Sequence, residues 1–327
     1  MSDTTALRLG TRRSKLAMAQ SELVAEQLRQ ITRRPVELVE ITTYGDVSRA
    51  QLTQIGGTGV FVTALRDALT RGEVDLAVHS LKDLPTTQPE DLTLAAVPRR
   101  EDPRDALIAR DGHDFERLTS GPGTARIGTG SPRRASQLHA WARSLGRVIE
   151  TVPIRGNIDT RIGYVRSGEL DAVVLATAGL NRVGRSQEIT ELLDPAAVLP
   201  APGQGALAVE CVSANGELAT QLSELDDPHT RAAVTAERTL LAELEAGCSA
   251  PVGALADLLT DEQAVTEMRL RGVVGTTDGE TLVQLSTTGP VPASGEELAR
   301  QSTRLGRELA TEMLAKGAAG LMGERAL

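Results

Sequence analysis

Residues 74–85 read V-D-L-A-V-H-S-L-K-D-L-P, and this stretch decides the fold of the 327-residue chain. The run from Leu76 to Val78 is short, apolar and β-branched at its end, which is typical of a buried strand in a parallel sheet. Polar and charged residues follow at once, and Pro85 ends the segment. In an open α/β sheet, groups just beyond the carboxyl ends of the strands line the ligand crevice. The stretch therefore predicts an α/β lobe with a candidate site at this strand end.

Taken alone, Lys82 beside Asp83 is better explained by a solvated loop pair than by a functional site. The case for a functional site depends on which residues follow the other predicted strands. Strands are predicted at residues 7–10, 36–42, 76–78, 94–97, 125–128, 152–154, 171–176 and 206–211. Five of them are followed by cations, namely Arg12, Lys82, Arg133 with Arg134, Arg155 with Arg161, and Arg182. For each cation singly a surface role is the better explanation, but the set favours a site.

Two of these strand ends carry the signature of a helix start. Ser14 can cap the helix that follows Arg12, and Ser131 with Pro132 at the first helical position is a strong start signal. The amino terminus of a helix attracts anions, and arginine binds carboxylates or phosphates in a bidentate manner. In a chain whose net charge is −9, these cations predict a polyanionic ligand in a crevice between two lobes.

The composition argues against several classes of function. Aromatic residues make up only 2% of the chain and the net charge is −9, so a nucleic-acid partner is not expected. Neither an apolar signal region nor a membrane-spanning run is present, which predicts a cytoplasmic protein without membrane contact. The two cysteines, Cys211 and Cys248, make neither a disulfide framework nor a metal-ligand pattern. We expect Cys211, within a predicted strand, to be buried core.

Residues 54–59, Q-I-G-G-T-G, form a glycine-rich loop before a helix predicted at residues 60–71, which contains Phe61. The loop lacks the Lys-Ser/Thr ending of a phosphate-binding loop. We therefore interpret it as a mobile lid rather than as a nucleotide cradle.

The pattern changes after about residue 227. A helix at residues 230–245, a loop containing Cys248, strands at residues 268–274 and 281–286 and a final helix at residues 296–316 predict a small α+β domain. The domain boundaries predicted from these changes are residues 1–100 with 203–224 for a discontinuous first lobe, 105–199 for the second lobe, and 227–327 for the C-terminal domain.

Eight motifs then identify a family. They are T-R-R-S-K-L-A, G-G-T-G-V-F, A-V-H-S-L-K-D-L-P, R-E-D-P-R-D-A, G-T-G-S-P-R-R, I-R-G-N-I-D-T-R, A-P-G-Q-G-A and G-C-S-A-P-V-G. Together they closely resemble the porphobilinogen deaminase family, also called hydroxymethylbilane synthase. The motifs occur in family order and cover nearly the whole chain.

The resemblance implies an α/β fold with two lobes like type II periplasmic-binding-protein domains, plus a small α+β C-terminal domain carrying a cysteine loop. It also implies that four porphobilinogen molecules are joined head to tail, with loss of ammonia, into linear hydroxymethylbilane. The growing chain is primed by a dipyrromethane cofactor on a cysteine thioether, and the matching cysteine here is Cys248. Each pyrrole carries an acetate and a propionate, which explains a row of arginines.

The resemblance further assigns site residues. It makes Asp83 the catalytic residue, which stabilises positive charge and relays protons. The residues implied to hold the cofactor are Cys248, Ser14, Ser80, Lys82, Thr129, Ser131, Arg133, Arg134 and Arg161. Those implied to bind substrate are Arg12, Arg155, Arg182, Phe61 and Gln204. The implied partner is porphobilinogen alone, bound by a monomer, with neither nucleic acid nor membrane.

Gln54 and Thr58 stand where many family members have lysines. If those lysines guide carboxylates in the family, the glycine-rich loop of this chain does so with less charge. Two other classes of protein compete with the enzyme. A two-lobed binding protein fits the lobes, but it does not explain a third domain with a loop cysteine and usually needs an export signal. An effector-sensing domain of a regulator also fits the lobes, but we see no DNA-binding segment before the first strand.

Overall fold

The computed structural model describes residues 5–42, 59–246, 250–261, 264–293 and 295–322. Two compact units are present. The first comprises Met1–Glu101 and Ala206–Arg231, and the second comprises Asp102–Gly205 and Ala232–Leu327. The finer division into three domains at the boundaries given above stays a prediction.

The first unit contains a five-stranded sheet. Its strands are β1 (Leu7–Thr11), β2 (Val36–Glu40), β3 (Leu76–Ser80), β4 (Leu92–Ala96) and β10 (Leu207–Val212), in the order β2-β1-β3-β10-β4. Strand β1 is parallel to β2 and β3, whereas β10 is antiparallel to β3 and β4. Helices α1 (Lys15–Thr32), α2 (Gly59–Thr70) and α7 (Gly216–Ser223) belong to the same unit. Its core is aliphatic, with Leu9, Leu28, Leu76 and Val209 fully or almost fully buried.

The second unit contains a sheet with the same spatial pattern of parallel and antiparallel strands. Its strands are β5 (Asp105–Ala109), β6 (Ala125–Gly128), β7 (Ile149–Val152), β8 (Ala172–Ala176) and β9 (Glu191–Leu192), in the order β7-β6-β8-β5-β9. Strand β6 is parallel to β7 and β8, and β5 is antiparallel to β8 and β9. In each sheet the third strand in this order has a parallel neighbour on one side and an antiparallel neighbour on the other, and the antiparallel neighbour pairs with an edge strand, β4 or β9. The sequence predicted three strands of the second sheet, and it missed β5 and β9.

The helices of the second sheet are α3 (Phe115–Ser120), α4 (Pro132–Ser144), α5 (Ile158–Arg166) and α6 (Thr177–Arg182). The two predicted caps are confirmed. Ala17 N donates to Ser14 Oγ at 3.2 Å at the start of α1, and Arg134 N donates to Ser131 Oγ at 3.4 Å at the start of α4. Each cap satisfies an otherwise unpaired amide of the first helical turn.

The second unit also holds a three-stranded antiparallel sheet with its own core. Its strands are β11 (Val252–Asp261), β12 (Ala264–Gly275) and β13 (Leu282–Pro290), accompanied by α8 (Pro228–Glu243) and α9 (Gly295–Ala315). The expectation of two strands was wrong, because β11 was missed. Leu240, Leu270, Leu309 and Met313 are buried between helices and sheet. The predicted fold class, two α/β lobes and a small α+β domain, is confirmed.

Cys211 is fully buried in β10, as expected. Among the residues that the structure describes, no helix is long and apolar enough to cross a membrane.

Candidate functional site

In the first unit, two neighbouring parallel strands deliver their candidate residues to the same edge of the sheet. Strand β1 ends at Thr11 and leads through Arg12 to the cap Ser14, while the adjacent β3 ends at Ser80. A side chain of α1 joins the two ends, since Gln20 Nε2 donates to Ser80 Oγ at 3.0 Å. The structure therefore brings Ser14 and Ser80 to one end of one sheet.

Lys82 and Asp83 lie on a single 3₁₀ turn, Leu81–Asp83, directly after β3. Apolar side chains hold this turn from both sides, because Leu81 is fully buried and Leu84 is 4% exposed. The backbone of the turn is also fastened, since Leu81 N donates to Ala206 O at 3.0 Å. Lys82 and Asp83 themselves are only half-buried. A charged pair held between two buried leucines fits a fixed site better than a solvated loop.

In the second unit, the candidate residues gather where β6 leads into α4. Thr129 Oγ1 accepts a hydrogen bond from Ser131 N at 3.2 Å, and Ser131 caps the helix. Arg133 and Arg134 occupy the first helical turn and are only 4% and 7% exposed. Two guanidinium groups buried this deeply need acceptors within the protein.

A single carboxylate, that of Asp105, is shared by the two arginines. Arg133 Nη1 donates to Asp105 Oδ2 at 2.8 Å, while Nε and Nη2 of Arg134 donate to Oδ1 at 3.0 and 2.7 Å. Backbone carbonyls accept further bonds, from Arg133 Nη1 to Leu199 O at 2.5 Å and from Arg134 Nη1 to Val174 O at 3.0 Å. Asp105 itself is fully buried. One carboxylate between two guanidinium groups leaves this trio with a net charge of +1.

Gln204 completes the cluster. Its Nε2 donates to Asp105 Oδ1 at 2.9 Å and to Pro103 O at 2.8 Å, and the residue is fully buried. The turn that carries it is held by a second buried carboxylate, since Gly203 N donates to Glu237 Oε2 at 2.7 Å. Gln204 thus positions the carboxylate that orients the arginines.

The electrostatics show an excess of positive charge. Burial raises the pKa of Asp105, but Arg133 and Arg134 together lower it well below its ordinary value, so the carboxylate is ionised. Burial lowers the pKa of Arg161, and the like charges of Arg134 and Arg155 lower it further. Mutual repulsion of this kind is relieved when an anion binds.

Two other predicted site residues, Arg161 and Arg182, also belong to the second unit. Arg161 lies in the first turns of α5, where its Nε donates to Gly156 O at 2.8 Å, and Asn157 caps that helix. Arg182 ends α6, and its Nη2 donates to Gly205 O, next to Gln204, at 2.7 Å. These contacts hold the guanidinium groups of both arginines within the second unit.

For some of the predicted site residues, the structure gives only the helix they belong to or does not describe them at all. Phe61 lies in helix α2, and Cys248, Gln54 and Thr58 lie outside the described residues, as does most of the glycine-rich loop. The roles of all the site residues therefore stay predictions. The structure brings together Ser14, Ser80, Lys82 and Asp83 in the first unit, and Thr129, Ser131, Arg133, Arg134, Arg161 and Gln204 in the second.

Sequence reasoning missed the buried carboxylates, two of which lie in apolar strands. Asp105 begins the apolar strand D-A-L-I-A, and Glu210 interrupts the apolar strand L-A-V-E-C-V. Acidic residues are almost never fully buried unless they are paired. An isolated acid within an apolar strand was therefore the signal that would have found both.

Family models match nearly the whole chain. Residues 7–237 match the model described as "Porphobilinogen deaminase, dipyromethane cofactor binding domain", which defines a class of proteins that bind a dipyrromethane cofactor. Residues 231–315 match "Porphobilinogen deaminase, C-terminal domain". The chain belongs to the porphobilinogen deaminase family. It is thus an enzyme that polymerises porphobilinogen into hydroxymethylbilane in tetrapyrrole synthesis.

Individual proteins agree with the family models. The chain is 75% identical to "Porphobilinogen deaminase 1" of Streptomyces avermitilis, covering 98% of both chains. It is 55% identical to "Porphobilinogen deaminase" of Thermobifida fusca, covering 99% of this chain and 98% of the other. Among solved structures, the periplasmic VFT2 domain of Bordetella pertussis BvgS matches with 17% identity and a TM-score of 0.39, covering 69% of this chain and 88% of that one.

Proposed function

We propose that the two groups of strand-end residues divide the work of this enzyme. Those of the second unit hold ring carboxylates, whereas those of the first unit help to hold the cofactor and supply Asp83, which acts on the reacting rings. The observation that carries this proposal is the buried cluster of Arg133, Asp105 and Arg134, which has a net charge of +1 although it is shielded from water. Such a cluster favours the entry of an anion.

The donor set fits a dipyrromethane cofactor. Each of its rings carries two carboxylates, and the Arg133–Asp105–Arg134 cluster together with Arg161 offers positive charge in excess of the single Asp105 carboxylate. Ser131 and Thr129 add hydroxyl groups at the same helix start. When bound, the cofactor supplies the pyrrole carbon that is extended in the reaction. Arg133, Arg134, Arg161, Thr129 and Ser131 would hold its carboxylates.

In the first unit, Asp83 provides the charge that the chemistry requires. Loss of ammonia from porphobilinogen leaves positive charge on the substrate, and a nearby carboxylate stabilises that charge. The Asp83 carboxylate can also accept hydrogen bonds from pyrrole N–H groups and carry a proton between the substituted carbon and the departing amine. The 3₁₀ turn between buried Leu81 and Leu84 holds Asp83 in place for this role.

Cys248 is the proposed attachment point of the cofactor, through a thioether. The support is the motif G-C-S-A-P-V-G at residues 247–253, which resembles the family's cysteine loop. By the same resemblance, Ser14, Ser80 and Lys82 help to hold the cofactor. Arg12, Arg155, Arg182, Phe61 and Gln204 serve the incoming substrate. The buried position of Gln204 against Asp105 supports an indirect contribution, through orientation of the arginines.

The test is to supply porphobilinogen and measure ammonia release against hydroxymethylbilane formation. Arg161→Leu should slow ammonia release by about tenfold or more, because a buried carboxylate loses its charged partner. Arg126→Leu is the matched control, since Arg126 lies on β6 of the same lobe but is exposed and bonds to Glu169 O. Unchanged ammonia release by Arg161→Leu would remove Arg161 from the carboxylate-binding group.

The oligomeric state, the cellular location and the expectation about nucleic acid are also proposals. We expect the chain to act as a monomer in the cytoplasm and to bind no nucleic acid, since its net charge is −9 and it has only five aromatic residues. Light scattering after size-exclusion chromatography measures the oligomeric state. A salt-dependent shift of labelled DNA or RNA in the presence of the protein would contradict the last.

A further inference from the structure

The first unit contains a buried charge that the proposed chemistry does not use. Glu210 lies in β10, between β3 and β4 in the sheet, and its side chain has no exposed surface. Its neighbours along the strand, Val209 and Cys211, are also fully buried. An ionised carboxylate in such a place requires several donors around it.

Three side chains surround the carboxylate. Arg66 of α2 donates from Nε to Glu210 Oε2 at 3.0 Å and from Nη2 to Oε1 at 2.7 Å. Gln88 Nε2 donates to Oε1 at 3.1 Å. His79 Nε2 lies 3.2 Å from Oε2. Burial raises the pKa of Glu210, but the contacts with His79 and Arg66 lower it to about 2.

Two of these partners flank one functional segment of the chain. His79 is the penultimate residue of β3, and Gln88 lies in the connection from the 3₁₀ turn to β4. The residues between them include Ser80, Lys82 and Asp83. Glu210 therefore contacts both ends of the segment that carries the candidate catalytic carboxylate.

The strand that supplies Glu210 also fastens the middle of the segment. Leu81 N donates to Ala206 O, immediately before β10 begins at Leu207. Gln88 has a second bond, from Nε2 to Leu92 O at 3.1 Å, which links it to β4. The segment is thus held at its start, middle and end by β10 and its neighbours.

From this geometry we propose that Glu210 is a positioning residue for Asp83. It holds His79 and Gln88, and thereby fixes the path of the chain between them. The inference rests on the proposed role of Asp83. It goes beyond that role, because it assigns a function in the reaction to a residue that touches neither substrate nor cofactor. A misplacement of about 1 Å in a catalytic group can lower turnover by as much as 10².

The test combines Glu210→Gln with Asp83→Asn and with a matched control. Glu210→Gln keeps the size of the side chain but removes the charge, and kcat should fall about tenfold while KM for porphobilinogen changes less than about twofold. If Glu210 acts through Asp83, adding Glu210→Gln to Asp83→Asn should lower kcat no further. Intact-protein mass should show that the single variant still carries its cofactor.

Asp75→Asn is the control. Asp75 stands immediately before β3, at the end of the strand opposite to Ser80. Its carboxylate accepts two side-chain hydrogen bonds from Arg8, at 3.2 and 2.7 Å. The change removes the same kind of pair from the same sheet, away from the candidate site. It should lower the melting temperature and leave kcat within about twofold of the unchanged enzyme.

Each other result has a definite meaning. If Glu210→Gln leaves kcat unchanged, or lowers it equally with and without Asp83→Asn, the positioning role is wrong. An equal fall in kcat for Asp75→Asn would show a general effect of stability and would also overturn the inference. If Asp83→Asn itself turns over normally, the proposed function of Asp83 fails first, and this result is separate from the others.

A second variant covers the case in which Glu210→Gln does not fold. Gln88→Leu leaves the pair of Arg66 and Glu210 intact and releases only the far end of the segment. It should fold, lower kcat about threefold, and have no further effect on Asp83→Asn. A folded Gln88→Leu enzyme with unchanged kcat would overturn the proposal.

Discussion

Arg134 donates two hydrogen bonds to the same oxygen of Asp105, from Nε at 3.0 Å and from Nη2 at 2.7 Å. The other oxygen is left for Arg133, so one carboxylate orients two guanidinium groups. Because all three groups are buried, their charges are poorly screened by water. The charge balance of this trio decides both its stability and its affinity for an anion.

The first prediction concerns stability. Asp105→Asn leaves two buried cations without a counter-charge, which should lower the free energy of unfolding by about 3–5 kcal/mol. Arg133→Leu leaves Asp105 paired with Arg134, so the cost should be smaller, about 1–3 kcal/mol. Urea unfolding of the two variants measures the difference. A loss for Arg133→Leu equal to that for Asp105→Asn would contradict the charge balance described here.

The second prediction concerns cofactor assembly. Arg133→Leu and Arg134→Leu remove the groups proposed to bind ring carboxylates, so each variant should purify largely without cofactor. Intact-protein mass gives the loaded fraction directly. Arg126→Leu, an exposed arginine of the same lobe, should remain fully loaded. Full loading of both buried-arginine variants would remove this helix start from the cofactor site.

The third prediction concerns Asp83. Asp83→Asn should fold and keep its cofactor, but it should lose turnover by ~10²–10³, because a neutral amide cannot stabilise positive charge on the substrate. Steady-state consumption of porphobilinogen measures the loss, and the melting temperature checks the fold. Near-normal turnover in the folded variant would exclude Asp83 from the mechanism.

Much of the framework was predictable because local signals agreed with the tertiary structure. The strand predicted at residues 125–128 is β6 without change, and both serine caps were found from the residue types alone. One strand was displaced, since β7 is Ile149–Val152 rather than residues 152–154. Pro153 lacks the N–H needed to continue a ladder, so the strand ends before it.

Other features depended on contacts distant in sequence. Strand β11 (Val252–Asp261) was missed because V-G-A-L-A-D-L-L-T-D lacks the alternation of a half-buried strand, and pairing with β12 overrides that composition. The role of Asp105 was invisible for a similar reason. Its partners Arg133 and Arg134 are 28 and 29 residues away, and a motif shows the arginines but not what they bond to.

The fourth prediction concerns acid stability. The contacts of Glu210 lower its pKa from 4.5 to about 2, so the unfolded chain binds more protons than the folded one between these values. The stability from this group is present above pH 4.5 and is lost as the pH falls toward 2, amounting to roughly 3 kcal/mol. Glu210→Gln should therefore lose less stability than the unchanged protein over that interval. A Glu210→Gln enzyme that keeps the pH dependence of the unchanged protein would contradict the assignment.

The last prediction concerns Cys248 and separates a covalent primer from a bound ligand. The purified protein should be heavier than its sequence by two porphobilinogen units less two ammonia molecules, and peptide mapping should place the addition on Cys248. Cys211 should be unmodified, because it is fully buried in β10 and burial raises the pKa of its thiol, which disfavours the reactive thiolate.

Two further measurements complete that test. Brief exposure to porphobilinogen should add single-ring steps to the mass, because extension takes place on the tethered chain before release. Cys248→Ser should lack the cofactor and turn over little or nothing, since a hydroxyl is a much poorer nucleophile than a partly ionised thiol. Cys211→Ser is the matched control and should stay loaded and active. A non-covalent ligand would be lost on dialysis, leaving the mass of the bare sequence, and active protein with an unmodified Cys248 would overturn the covalent primer whatever the arginines bind.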